Sequence, residues 1–295
     1  MSVSTRFSTF LSNLTLSSNQ KKDGITKHTG IRKCLNYHYY NMNSQYGNSI
    51  LVGSWGKSTE MRPPRDIDLL FELPDSVYYR FLEVPFWRNK QSEILQEVKR
   101  VLDKKYTRTT IRADGQVISV PFHSYSVEVV PDIKCSNDRY WICDTNDGGS
   151  FEEIDPLAEQ NCVQYSNNRT NGNTRDLIRM MKCWQSNCNV PLTSFQIELL
   201  CIAFLRNWEY AGEAKVYYDW MARDFFKYLI NEKKNGLVII PGVIDILFIG
   251  NDWVSRAKSG LKRAKKAIEY EYEEKDFDAG WEWQKIFGSQ IPLTT

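Results

Sequence analysis

Histidine is scarce, with three residues among 295, and no Cys-x-x-Cys pair or Cys/His cluster has zinc-finger spacing, which excludes a zinc-stapled module. The seven cysteines are odd in number and scattered from Cys34 to Cys201, a pattern of reduced thiols rather than a disulfide framework. Neither sign of charge is in excess: 38 Lys and Arg face 36 Asp and Glu, for a net charge of +2. Bulk charge therefore gives no reason to expect a polyanionic partner. A long apolar run is also missing. Leu237 to Ile249 is interrupted by Pro241, Gly242 and Asp245, falls short of the roughly 20 residues that span a bilayer, and is expected to be a buried segment. The N-terminus lacks the apolar core of a signal peptide. Internal repeats and low-complexity tails are absent as well. These absences leave a globular, cytoplasmic protein, expected to be a monomer with no membrane association. At 42% hydrophobic and 25% charged residues, it is long enough for one large domain or two lobes.

Periodicity divides the chain. Phe7, Phe10, Leu11 and Leu14 recur at helical spacing and a second amphipathic stretch runs from about 24 to 42, so two helices are expected first. Ser49-Ile-Leu-Val then reads as a strand running into Gly53-Ser54. After a polar turn with Pro63 and Pro64, Asp66-Ile-Asp-Leu-Leu-Phe alternates acid and apolar residues with period two. A helix over about 87–103, strands over 116–120 and 125–131, and a hairpin turn at Asn146-Asp-Gly-Gly follow. From Thr174 the pattern is mainly helical, near 174–188, 193–211, 218–233 and 252–274. The expected fold is α+β. A lobe over 1–170 carries a mixed central sheet, a helical lobe occupies 171–295, and the active site lies in the cleft between them.

The residues around the first two strands suggest phosphoryl transfer. Gly53 and Ser54 follow a strand, where backbone donors and a hydroxyl can grip phosphates, and Asp66 and Asp68 share one strand face where carboxylates can hold magnesium. Two metals about 3.5 to 4 Å apart need a third carboxylate. Glu128 supplies it on Tyr125-Ser-Val-Glu-Val-Val-Pro, where Val127 and Val129 face the core. An alternating Asp-x-Asp by itself is usually the polar face of an amphipathic strand; the upstream Gly-Ser and the downstream acidic strand favour the metal site. Gly56-Lys57-Ser58 is not a P-loop, because position 51 is Leu where that motif needs Gly. Lys57 and Arg62 are either near phosphates or solvated turn residues.

The run GSWGKSTEMRPPRDIDLLFEL resembles the Gly-Ser, Thr-x-x-Arg-Pro and Asp-x-Asp signature of the cGAS/DncV-like nucleotidyltransferases of bacteria, often called CD-NTases. SVEVVPDI is similar to that family's third-carboxylate strand, DGGSFEEIDP to the following hairpin and WEWQKIFGSQIP to its closing segment. The resemblance implies a polymerase-beta-like nucleotidyltransferase fold. It also implies condensation of nucleoside triphosphates into a cyclic di- or trinucleotide second messenger, two Mg2+ ions for which Mn2+ can substitute, and a nucleotide-sensing effector in anti-phage defence (CBASS). The family's third carboxylate is commonly Asp, so Glu128 departs from it by one methylene at unchanged charge. Asp132 is a weaker substitute after Pro131. In the helical portion, DLIRMMKCW resembles the helix whose lysine contacts the donor triphosphate, which assigns that role to Lys182. SFQIELL resembles the segment in which Ser194 contacts phosphate and Phe195 stacks on the base. Independently, Thr193 and Gln196 fit a capping box that puts Ser194 at a positive helix end; Phe195 is equally well a core aromatic.

The basic run Arg256 to Lys266 reads as a solvated helix face over an apolar stripe of Ala257, Leu261, Ala264 and Ile268. Nucleic-acid binding is not expected, and His28, His38 and His123 provide no zinc thumb. Two alternatives remain: a nucleotidyltransferase that adds a nucleotide to RNA, protein or a small molecule, and a catalytically silent nucleotide sensor, motivated by Glu128.

Overall fold

The computed structural model describes residues 3–295 except 86, 136, 138, 234, 235 and 244. In chain order the elements are α1 (Val3–Leu14), α2 (Ser18–Tyr40), β1 (Ser49–Leu51), α3 (Gly53–Lys57), β2 (Ile67–Glu72), α4 (Asp75–Leu82), α5 (Lys90–Lys105), β3 (Arg112–Asp114), β4 (Val117–Pro121), β5 (Ser126–Lys134), β6 (Tyr140–Asp144) and β7 (Ser150–Ile154). They continue with α6 (Pro156–Arg169), α7 (Asn173–Cys188), α8 (Ser194–Asn207), α9 (Tyr218–Tyr228), β8 (Leu237–Ile239), β9 (Ile246–Phe248), α10 (Val254–Tyr272) and α11 (Asp276–Phe287). Two compact units result: Leu16–Gln160, and Met1–Thr15 together with Asn161–Thr295.

The Leu16–Gln160 unit is built on a mixed sheet of order β1-β2-β5-β4-β3, with β6 pairing β5 and β7 pairing β6. Among the described residues of this sheet, only the β2–β5 pairing is parallel. Alternation along β2 decides what each face does. Ile67, Leu69 and Phe71 are fully buried with Val127 and Val129 of β5, against Ile31 and Leu35 of α2 and Ile94, Leu95, Val98 and Leu102 of α5. Each such side chain contributes about 1.5–3 kcal/mol of burial. The opposite face carries Asp68, then Leu70, which packs with Tyr140 and Ile142. Helix α5 starts where the Asn89 side chain accepts from the Ser92 amide at 2.8 Å. The turn at Asn146–Gly148 joins β6 to β7 as the sequence suggests.

The second unit is mainly helical and includes α1, although α1 precedes the sheet in the chain. Phe7, Phe10 and Leu14 are fully buried, and so is Arg6. The Arg6 guanidinium is satisfied by Glu271 at 2.8 Å, Asp276 at 2.6 Å and the carbonyl oxygens of Pro292 and Leu293 at 2.6 and 2.9 Å. A buried charge needs this many partners to offset its desolvation. One expectation is corrected here: the stretch 237–249 is not a buried segment. Strands β8 and β9 pair antiparallel. Leu237, Ile239, Ile246 and Phe248 are 53, 75, 58 and 61% exposed, whereas Val238 is buried. Period-two alternation sends neighbouring apolar residues to opposite faces, and only one face of this ribbon is covered.

Candidate active site

The acids come together through strand register. Asp68 lies directly opposite Glu128 across the parallel β2–β5 pair, and Glu128 faces Ser119 on β4. Residues opposite one another share a face, so the two carboxylates project from the same side of the sheet. Asp66, one residue before β2, is near enough to be felt: the Glu128 carboxyl is pushed up to about 6 by burial first, then by the negative charges of Asp66 and Asp68.

The phosphate-side elements sit against these acids. The Val52 amide donates to the Asp68 carbonyl at 3.0 Å, and the chain then turns into α3 through Gly53 at φ +54°. A Cβ at Gly53 would lie 1.8 Å from Oδ2 of Asp68. Glycine is required both by the left-handed backbone and by this approach. The first amides of α3, at Gly53, Ser54 and Trp55, have no intrahelical acceptor, as at any helix start. Trp55 anchors the turn, meeting His28 and Tyr125 edge-on at 5.9 Å each. Lys57 is no solvated turn residue: it is buried and pairs with Glu159 at 2.7 Å. Gln160, the next residue, donates to the Leu51 carbonyl at 2.8 Å and ties down the strand before the Gly-Ser turn. Asp132 differs in kind from Glu128. It is buried, and burial and then the Glu72 charge raise its pKa well above the ordinary aspartate value.

Asp66, Asp68 and Glu128 fit a divalent cation by charge and oxygen chemistry, and register brings two of them, Asp68 and Glu128, side by side. Among the described residues, no three His, Cys, Asp or Glu side chains are gathered closely enough to hold a metal ion. The fit therefore rests on chemistry and register.

In the other unit, Lys182 is 4% exposed and forms an ion pair with the equally buried Glu198 of α8 at 2.5 Å. Sequence reasoning did not find Glu198, since it sits mid-helix among apolar residues with nothing to mark it. The Thr193 capping box is present: the Thr193 hydroxyl accepts from the Gln196 amide at 3.1 Å and Gln196 accepts from the Thr193 amide at 2.8 Å. Ser194 is thus the first residue of α8, and its hydroxyl donates to Gln185, one turn beyond Lys182 on α7, at 3.4 Å. Gln185 was also unmarked in the sequence. Phe195 is half-buried in the same first turn.

A mixed sheet presenting paired acids beside a Gly-Ser turn, with a helical unit after it, defines a nucleotidyltransferase. The family model described as SMODS, Second Messenger Oligonucleotide or Dinucleotide Synthetase domain, matches residues 1–167, and the chain belongs to that family. It is 24% identical over 274 residues, 81% of each chain, to a probable cyclic nucleotide synthase of Bacillus cereus (strain VD146). Among solved structures it is similar to Escherichia coli MS115-1 CdnC in complex with HORMA-deltaN, with TM-score 0.70, 17% identity and 98% of each chain covered. It is also similar to Escherichia coli DncV in its 3'-deoxy GTP bound form, with TM-score 0.68, 12% identity, 95% of this chain and 93% of that one covered. The resemblance to the CD-NTases and the α+β fold inferred from the sequence both hold. Among the described residues no helix is long and apolar enough to cross a membrane.

Proposed function

We propose that this nucleotidyltransferase joins nucleoside triphosphates into a cyclic di- or trinucleotide, with Asp66, Asp68 and Glu128 as catalytic metal ligands. The observation that carries the reading is the direct pairing of Asp68 with Glu128 on adjacent strands, with Gly53 packed against Asp68. Asp66, Asp68 and Glu128 would hold two Mg2+ ions, or Mn2+ in their place, which would supply Lewis-acid stabilisation of the transferred phosphoryl group and a lowered pKa for the attacking ribose hydroxyl. Gly53 and Ser54 hold the donor phosphates through the open amides of α3 and the Ser54 hydroxyl. Lys182 and Ser194 bind the triphosphate, and Phe195 stacks on the donor base. The carboxylates orient the acceptor hydroxyl and accept its proton, so no histidine base is required. The Leu16–Gln160 unit carries the chemistry.

In the cell, the product signals to a nucleotide-sensing effector in anti-phage defence, and the enzyme works in the cytoplasm as a monomer. Nucleic acid is not its ligand. Substitution of Asp66 or Asp68 by Asn is expected to abolish pyrophosphate release from nucleoside triphosphates while the melting transition is retained; full activity in either variant sinks the assignment.

A further inference from the structure

The Leu16–Gln160 unit holds a polar cavity of about 390 Å³ at the opposite end of β2 from Asp66 and Asp68. Its walls come from the end of α2, the start of α4 and the outer face of α5. Asp68 and Pro74, at the two ends, are separated by six residues of extended chain, about 20 Å at about 3.3 Å per residue.

The charges around this cavity do not cancel. Glu97 is the one acid in its lining, and both of its oxygens are occupied by the fork of Arg80, at 2.7 and 2.8 Å. The Tyr39 hydroxyl also donates to Glu97 at 3.3 Å. The nearby Asp103 is taken by Lys99 at 2.7 Å. Arg100 and Lys104 also line the cavity, and among the described residues neither has an acid partner. They lie one helical turn apart on the same face of α5, with Cβ atoms about 5–6 Å apart, close enough for both to reach a single tetrahedral anion.

We propose that this cavity binds the phosphate group of a small molecule through Arg100 and Lys104. Arg80, fixed by Glu97, and the Ser76 hydroxyl offer further donors. The space exceeds that of a lone phosphate, and Pro74, Val77 and the Tyr39 ring give it an apolar wall on which a nucleoside can rest. The site is separate from the acids on β2 and β5 and does not depend on them.

Titration calorimetry of the full chain in EDTA, with inorganic pyrophosphate and with adenosine monophosphate as probes, tests this. Wild type shows a saturating event for each probe that Arg100→Glu/Lys104→Glu weakens at least tenfold; both side chains are exposed, so the melting temperature without ligand is unchanged. Tighter binding of adenosine monophosphate identifies a nucleotide as occupant, and equal affinity identifies free phosphate. Should the double charge reversal destabilise the protein, Arg100→Gln/Lys104→Gln provides the same comparison. Superimposable isotherms for wild type and variant, or no saturable binding of either probe, overturn the proposal.

Discussion

Neutralising Glu128 is expected to stabilise the metal-free protein while removing its activity. The Glu128 carboxyl moves from an ordinary 4.5 to about 6 in the fold, through burial and the neighbouring Asp66 and Asp68. Because the folded state holds this proton more tightly than the unfolded chain, no destabilisation arises below pH about 4.5. It grows as pH rises from about 4.5 to about 6 and stays constant above that. At about 1.36 kcal/mol per pH unit, the full difference is about 2 kcal/mol. Glu128 is only half-buried, so screening by water reduces this to about 1 kcal/mol. Glu128→Gln removes the charge at nearly constant shape. In EDTA at pH 8 its melting temperature should exceed wild type by about 3 °C, and at pH 4.5 the two should coincide. Magnesium should then raise the wild type more than the variant, since binding to the native state adds stability by mass action. Differential scanning calorimetry at pH 4.5, 6 and 8 measures all three. A variant less stable than wild type at pH 8, or an offset independent of pH, refutes the electrostatic account of the acid cluster.

Gly53→Ala places a Cβ 1.8 Å from Oδ2 of Asp68 on a backbone at φ +54°, so it should cost about 1–3 kcal/mol by thermal melt and abolish pyrophosphate release. Lys182→Met leaves the buried Glu198 carboxylate without its partner; a loss of about 3–5 kcal/mol is expected, partly restored by Lys182→Met/Glu198→Leu, and a double-mutant cycle checks it. Thr193→Ala removes the cap of α8 and should cost about 1 kcal/mol in urea unfolding, with a raised KM for nucleoside triphosphate, since the cap sets the turn that carries Ser194.

Where the chemistry is local, the residues announce it. The alternation of Asp66 to Phe71 and of Ser126 to Val130 predicts which side chains face the core, and the register of β2 with β5 then brings Asp68 and Glu128 together. Thr193 and Gln196 mark the start of α8 correctly. Other features depend on contacts that no short window contains. Helix α1 reads plainly as a helix, but Arg6 finds its partners 265 to 287 residues later in the chain, so its place beside α11 is invisible to periodicity. Helix α6 is missed because its few apolar residues fall on no single face. The basic helix α10 rests on Ala257, Gly260, Ala264 and Ala267, a stripe of small residues shifted from the expected one, with Leu261 and Ile268 at its margin.

The most direct measurement is to incubate the purified chain with alpha-labelled ATP, GTP, CTP and UTP, singly and mixed, with magnesium or manganese, then treat with phosphatase and identify products by mass. The account predicts a phosphatase-resistant cyclic product from wild type and none from Asp68→Asn. Pyrophosphate release with only linear or acceptor-linked products, or a cyclic product that persists in Asp68→Asn, contradicts it.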